Sequence, residues 1–245
     1  MTKLPADVNS GAEGCANLFR PVKTGNAFEK TVEQILEAVK LGAVQRGDRL
    51  PPERELALRL NVSRVTLREA IRTLAQAGYV ESRRGRAGGT FVVYQAERSR
   101  VSPPGRAGGE RLEDALAFRL VVETGAVEMA ARRHLGRAEQ ELLRRELDDV
   151  DHASQDDYRR ADSRLHLLIA ELAGSSMLTR AVADVRMRMN DLLDALPALD
   201  QPIVHSNVQH DQIVDAILAH DPDGARRAME EHLEATSALL RGFLT

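Results

Sequence analysis

The sequence predicts a mainly α-helical protein of two domains, with one small β-hairpin in the N-terminal half and an antiparallel bundle of about six helices in the C-terminal half. The length of 245 residues exceeds what one small core usually needs. Apolar residues recur at helical spacing through most of the chain, and two short β-prone pieces interrupt them. Residues 97–111 are rich in Pro, Gly and Ser and lack a hydrophobic face, which is typical of an interdomain linker.

The two halves differ in charge, although the net charge of the chain is only -3. Residues 28–96 carry 12 Arg and Lys against 8 Asp and Glu, whereas residues 112–245 carry 15 against 25. A locally basic domain can bind a polyanion, while phosphates would repel the acidic domain. We therefore expect nucleic acid to contact the N-terminal half, and small ligands, metal cations or protein partners to contact the other.

The N-terminal residues do not have the pattern of a secretory signal peptide. Residues 1–20 lack a basic start followed by an apolar stretch, and the chain has no apolar run of the ~20 residues that a membrane span needs. We expect a cytoplasmic location. Residues 1–22 have no apolar period and are predicted to be a disordered arm, in which the single cysteine, Cys15, is incidental.

Three helices and a hairpin are predicted for residues 23–96. Apolar spacing places the first helix over 28–42 and the second over 52–60, after a turn at 47–52. The third helix starts after Ser63, whose hydroxyl can accept a hydrogen bond from a free amide of the first turn. Two β-prone pieces follow, joined by a basic, glycine-rich tip.

This order of elements predicts a winged helix-turn-helix. A helix fits the major groove of B-DNA, where its early side chains can contact base edges or phosphates. Arginine suits both targets because its planar guanidinium donates paired hydrogen bonds. The glycines of the hairpin tip would allow its backbone to approach the adjacent groove closely.

The segments Leu-Pro-Pro-Glu-Arg-Glu-Leu-Ala at 50–57 and Asn-Val-Ser-Arg-Val-Thr-Leu-Arg-Glu-Ala at 61–70 resemble the signature of the GntR family of regulators. Pro52 departs from it, since the family commonly has a small hydroxyl residue there that could cap the second helix. The resemblance implies that double-stranded operator DNA is contacted by Arg54, Ser63, Arg64, Thr66, Arg68, Arg84 and Gly85.

A candidate metal site lies in the C-terminal half. Asp162 and His166 are four residues apart and share one face of a predicted helix, and His210 and His232 lie on later helices. One carboxylate and three imidazoles could hold a divalent cation such as zinc, nickel or manganese. By itself, an Asp/His pair at this spacing is more often an exposed polar pair than a pair of metal ligands.

The C-terminal half is similar to the ligand-sensing domain of the FadR subfamily. The matching segments are residues 118–132, 162–166, 210–217 and 228–233, and Leu165 replaces the usual aromatic residue. The resemblance implies that Asp162, His166, His210 and His232 hold the metal ion, with zinc as the first choice. It also implies a small carboxylate or sugar-acid effector, for which Arg119 is the matching arginine; a salt bridge from Arg119 to Glu123 is the alternative.

These patterns together predict a ligand-responsive repressor of a metabolic operon, acting as a homodimer on inverted half-sites. It is not expected to be an enzyme. The alternatives are a metal-dependent phosphohydrolase fused to a DNA-binding domain, since helical Asp/His sites also activate water, and a DNA-architectural protein with a degenerate bundle. Against the hydrolase, adjacent residues such as His210 and Asp211 point about 100 degrees apart on a helix.

Overall fold

The computed structural model describes most of the chain, which divides into two compact units, residues 1–102 with 241–243 and residues 103–240 with 244–245. Within the described part, the chain forms nine helices and one two-stranded sheet. None of these helices is both long and apolar enough to cross a bilayer. The described residues are 19, 21–22, 25–40, 44–85, 88–94, 106–155, 157–196 and 199–244.

The first unit is built on three helices, α1 (Ala27–Lys40), α2 (Glu53–Leu60) and α3 (Arg64–Gln76). Both α1 and α2 pack against α3. The helices lie within about two residues of the predicted bounds, because each has apolar residues at a spacing of three and four that form one buried stripe. The buried residues of these stripes include Phe28, Val32, Ile35, Leu36, Leu56, Leu60, Leu67, Ala70 and Leu74.

The turn between α2 and α3 depends on two polar residues. Asn61 ends α2 in the left-handed region at φ 54°, where asparagine is among the tolerated residues. The Ser63 hydroxyl accepts a hydrogen bond from the Thr66 amide at 3.0 Å, as the sequence predicts. Pro52, in contrast, precedes α2 without any side-chain hydrogen bond, so the departure from the family pattern leaves α2 uncapped on that side.

Replacing Ser63 by alanine should lower the free energy of unfolding of the N-terminal unit by about 1 kcal/mol, because a free amide of α3 loses its acceptor. Chemical denaturation followed by circular dichroism would measure the change. Ser63→Asp is the matched control, since its carboxylate retains an acceptor at this position. This variant should change the free energy of unfolding by only a few tenths of a kcal/mol. Equal losses in both variants would contradict the capping role.

The hairpin consists of β1 (Val80–Arg83) and β2 (Gly89–Val92), which pair antiparallel with Val80 opposite Val92. The segment before α2 adds to this sheet. Arg49 forms a bridge with Phe91, and the Leu50 amide donates to the Thr90 carbonyl at 2.8 Å. The sequence predicts only a turn at 47–52, because pairing with a strand some forty residues away leaves no local signal.

The predicted disordered arm at residues 1–22 needs correction at its end. Phe19 and Val22 are buried, and the Val22 amide donates to the Leu60 carbonyl at 2.9 Å. Two isolated apolar residues give no period, so the sequence could not distinguish them from a solvated tail. Residues 1–18, including Cys15, and residue 20 lie outside the described residues.

The predicted linker at residues 97–111 is also wrong over its last part, where the first helix of the second unit already begins at Arg106. Leu112 and Leu116 are buried from the first turns onward. Burial of these leucines stabilises the helix from this point onward. Extending it toward its N-terminus then adds one hydrogen bond per residue without a new nucleation cost, which allows Gly108 and Gly109 to be helical. Residues 97–105 lie outside the described residues.

Six helices form the second unit, which confirms the predicted helical bundle. They end near the predicted breaks at Gly136, Gly174 and Asp221, because glycine and proline interrupt helices locally. Neighbours joined by short turns, such as the second and third helices of the unit, pack directly on each other. The helices are α4 (Arg106–Arg132), α5 (Arg137–Asp151), α6 (Tyr158–Leu172), α7 (Ser176–Asp194), α8 (Asp200–Leu218) and α9 (Pro222–Leu244).

Candidate functional site

The surface of the first unit carries the residues that the family signature assigns to DNA contact. The side chain of Thr66 is half-buried, and the remaining members of the set are exposed at the N-terminal ends of α2 and α3 and at the hairpin tip. The exposed members are Arg54, Ser63, Arg64, Arg68, Arg84 and Gly85.

These arginines differ in their partners within the unit. Arg68 donates from Nε to Glu53 Oε2 at 2.8 Å, which ties α3 to the first residue of α2. Arg54, Arg64 and Arg84 form no ion pair with any residue that the structure describes. Their guanidinium groups are therefore available to phosphates or base edges, whereas Arg68 already balances a carboxylate. The sequence did not single out Glu53, since an acidic residue in the first turn of a helix is common.

The hairpin tip has a backbone that requires glycine. Gly85 has φ +105°, in the left-handed region, and its carbonyl accepts a hydrogen bond from the Gly88 amide at 2.9 Å. A Cβ atom on Gly88 would lie 2.5 Å from the Arg83 carbonyl oxygen. Only the absence of a side chain permits this tight turn, which presents Arg84 at the tip.

The four candidate metal ligands meet inside the second unit. Asp162 and His166 lie on α6, His210 on α8 and His232 on α9, and all four are buried. The ligand atoms they can offer all lie within 4.8 Å of one another. Asp162 Oδ1 is 3.2 Å from His210 Nε2 and 3.7 Å from His166 Nε2. The alternative of an exposed polar pair is therefore wrong.

This donor set fits a divalent transition metal. Zinc bonds to imidazole nitrogen and carboxylate oxygen at about 2.0–2.2 Å, so two of its ligand atoms can be at most about 4.4 Å apart. Small side-chain movements would bring the cluster into that range. His166 Nε2 and both ring nitrogens of His210 are buried and lack a hydrogen-bond partner among the described residues. Buried polar atoms of this kind normally have a partner, which an ion would supply.

The electrostatics of the two later histidines favour the form that binds metals. Burial, with a contribution from the charge of His166, lowers the pKa of His210 well below its ordinary value. Burial also lowers the pKa of His232, with a smaller contribution from His210. Both imidazoles therefore stay neutral near pH 7 and keep a nitrogen lone pair for an ion.

Glu123 orients the ring of His166. Glu123 Oε2 accepts a hydrogen bond from His166 Nδ1, and its other oxygen accepts from Arg119 Nε at 2.8 Å. Burial raises the pKa of Glu123, but the neighbouring His166 and Arg119 outweigh it and the pKa lies below its ordinary value. With Nδ1 engaged, His166 turns Nε2 toward Asp162, an arrangement that supports histidine ligands in many metal sites.

Arg119 forms the ion pair that the sequence offers as one of two alternatives. The pair with Glu123 is buried, yet Arg119 Nη1 has no hydrogen-bond partner among the described residues. The guanidinium group is thus hydrogen-bonded through Nε but not through Nη1. The ion pair therefore leaves a donor group that could still bind an anion.

Arg186 is a member of the cluster that sequence reasoning missed. Its Nη2 donates to Asp162 Oδ2, and its Nε lacks a partner among the described residues. Burial lowers the pKa of Arg186 to about 10. No local motif marks this arginine, and only the packing of α7 on α6 brings it to Asp162. Arg119, Glu123, Asp162 and Arg186 are the only buried Asp, Glu, Lys or Arg residues in the described part of the second unit.

Two family descriptions match the chain, one for each unit. Residues 28–92 match "Bacterial regulatory proteins, gntR family", and residues 114–235 match "FCD domain". The first range contains the exposed arginines and the second contains the Asp/His cluster.

Individual relatives match over nearly the full length. The "HTH-type transcriptional repressor NanR" of Escherichia coli is 31% identical over 91% of this chain and 88% of its own length. The "Putative L-lactate dehydrogenase operon regulatory protein" of the same organism is 34% identical over 82% of this chain and 81% of its own. Among solved structures, "Streptococcus agalactiae GntR" is 25% identical, covers 86% of this chain and 98% of that one, and has a TM-score of 0.43.

Proposed function

Because the chain belongs to the gntR family of bacterial regulatory proteins and carries an FCD domain, we propose that it is a repressor of a metabolic operon that a small carboxylate or sugar acid releases from operator DNA. The buried Asp/His cluster carries the effector part of this proposal. The relatives are transcription regulators and not enzymes, so the chain is a regulator and the phosphohydrolase alternative is not supported.

For DNA binding, we propose that α3 enters the major groove and that the hairpin tip contacts the adjacent groove. The unpaired, exposed Arg54, Arg64 and Arg84 support this assignment because they can bind phosphates or base edges without breaking an ion pair. Ser63, Thr66, Arg68 and Gly85 complete the proposed contact set. Operators lie in the cytoplasm, where we expect the protein to act.

For the metal, we propose Asp162, His166, His210 and His232 as ligands and zinc as the ion, with nickel or manganese as alternatives. Two observations support this choice: His166 and His210 have ring nitrogens without a partner among the residues that the structure describes, and His210 is neutral near pH 7. A bound divalent cation would supply a strong positive charge for an effector carboxylate. Arg119 and Arg186 each have a nitrogen without a hydrogen-bond partner in the described part of the chain, and with it they could orient the same anion.

We also propose a homodimer held by the second unit. Helices α4 and α7 pack against each other and carry exposed apolar side chains, among them Phe118, Val121 and Met187. A symmetric dimer would place two DNA-binding units on inverted half-sites. Effector binding that changes how the two units can be placed would then weaken operator affinity, and about 1.4 kcal/mol of coupling suffices for a tenfold change.

A gel-shift titration with the DNA upstream of the protein's own gene tests the proposal. The metal-loaded protein should bind this DNA more tightly than random duplex, and affinity should fall steeply with salt because arginine contacts release counterions. Adding the effector, found by a thermal-shift screen of organic acids, should release the DNA. Equal affinity for both duplexes at moderate ionic strength would overturn the regulator assignment for this operator, and an absent response to every acid would overturn the effector class.

A further inference from the structure

We propose that Val65, in the first turn of α3, determines operator specificity by contacting the C5-methyl group that a thymine presents in the major groove. This inference rests on the proposed function, since it concerns the DNA sequence that the proposed regulator recognises. Val65 belongs neither to the contact set that the family signature implies nor to the buried stripe of α3.

Val65 is an exposed aliphatic residue on a helix whose other large apolar side chains are buried. It is 65% exposed, whereas Leu67, Ala70 and Leu74 are buried. Val65 and Leu58 are the only large hydrophobic residues exposed in the part of the first unit that the structure describes. A β-branched residue also has a lower helix propensity than alanine. Neither burial nor helix formation therefore accounts for a valine at this position.

The exposed face of α3 around Val65 is basic. Since each residue of a helix turns by about 100 degrees, the side chain of Arg72 leaves α3 about 20 degrees from that of Val65. Arg72 is exposed, and so is Arg68, whose charge Glu53 balances. The only acidic residue of α3, Glu69, is half-buried. The charge of this face is therefore complementary to the phosphates that border a DNA groove.

Val65 is also the only apolar side chain exposed in the first turn of α3. Ser63 Oγ lies 2.8 Å from Thr66 Oγ1 and accepts a hydrogen bond from the Thr66 amide, so both hydroxyls take part in the cap. Arg64 carries a guanidinium that can bind phosphate or guanine. Val65 has neither donor nor acceptor, so it can stabilise a complex with DNA only by burying its methyl groups against another apolar group.

Among the four standard bases, only thymine has a methyl group on its major-groove edge. Guanine, adenine and cytosine present hydrogen-bond donors and acceptors there. An aliphatic side chain packed against these groups would remove their water without replacing the hydrogen bonds, which is unfavourable. A thymine methyl group packed against Val65 instead removes apolar surface of both partners from water, so thymine is the base that fits Val65 best.

The test removes the methyl group from the DNA without changing the hydrogen bonds of the base pair. Each thymine of the operator is replaced singly by uracil, and fluorescence anisotropy gives the Kd of the metal-loaded, full-length protein. For the wild type, one such replacement in each half-site should weaken binding about fourfold, which is the effect of burying one methyl-sized group. Val65→Ala should bind the thymine and uracil operators within about twofold of each other, because alanine is too short to reach the methyl group.

Leu58→Ala is the matched control, since it removes the other exposed large hydrophobic residue of this unit, which lies on α2. This variant should retain the fourfold difference, and both variants should keep the helix content of the wild type in circular dichroism. Retention of the full difference by Val65→Ala, or its loss in Leu58→Ala, would overturn the inference.

Two further outcomes separate this inference from the proposed function. A wild type that binds the operator specifically but is insensitive to every uracil replacement would overturn the role of Val65 and leave the regulator assignment intact. A wild type that does not distinguish the operator from random duplex would overturn the regulator assignment for this operator, and the role of Val65 with it.

Discussion

Replacing His210 by alanine should remove most of the bound metal from the purified full-length protein and abolish its response to effector. His210 faces Asp162 at 3.2 Å and is buried among the cluster, so alanine leaves no substitute donor. Removing an outer-shell partner typically weakens metal binding about 10–100-fold, and loss of a direct ligand should cost more. Metal analysis after dialysis gives the content per chain, and His232→Ala should behave in the same way.

The thermal transition provides a second measurement of the same loss. An ion that binds only the folded state, at a concentration about 1,000 times its Kd, stabilises a protein by about 4 kcal/mol. The wild type should therefore melt at a higher temperature with metal than after chelation, and His210→Ala should melt alike in both conditions. His152→Ala is the control, because this side chain is 77% exposed and contacts Asp148 at the surface. Full metal content in His210→Ala would refute the proposed ligand set.

Replacing Arg64 by alanine should weaken operator binding by about 1–3 kcal/mol, or roughly 5–150-fold. Arg64 is exposed at the first position of α3, beside the cap formed by Ser63, and it has no ion pair with a described residue. Its removal therefore leaves no unpaired carboxylate, and the free energy of unfolding should stay within ±0.5 kcal/mol of the wild type. Titrations at several salt concentrations would measure the affinity and its salt dependence.

The salt dependence distinguishes two roles for Arg64. If it contacts a phosphate, the variant should weaken binding to all sequences alike and lower the salt slope by about 1; if it contacts a base, specificity should relax at one position. Arg137→Ala removes an arginine that is 92% exposed on α5 and should leave operator affinity unchanged. Equal affinities of Arg64→Ala and Arg137→Ala would contradict the placement of α3 in the groove.

Local patterns were sufficient for the helices and for the capped turn of the first unit. The stripe that includes Leu67, Ala70 and Leu74 predicts α3 because helical spacing brings these residues to one face, and Ser63 marks its start. The breaks at Gly136 and Gly174 act within a few residues of themselves. These local patterns predict helix bounds without information on how distant segments pack.

Contacts between distant segments could not be predicted in this way. Pairing of Arg49 with Phe91 and burial of Phe19 and Val22 depend on where other segments lie after folding. The helical start at Arg106 follows from packing further along α4, which outweighs the poor helix propensity of the two glycines.

The same distinction between local patterns and distant contacts applies to the candidate site. Local sequence patterns indicated which residues could bind DNA or a cation, because the family signature and the i, i+4 spacing of Asp162 and His166 each span only a few residues. The resemblance to the FadR subfamily implied that His210 and His232 join this pair, although spacing alone does not, and the fold brings the four together. The positions of Arg186 and Glu123 beside the cluster became evident from helix packing. The distances between ligand atoms and the burial of the site arise only where separate helices pack together. The local sequence around one side chain does not indicate which distant side chains will contact it after folding.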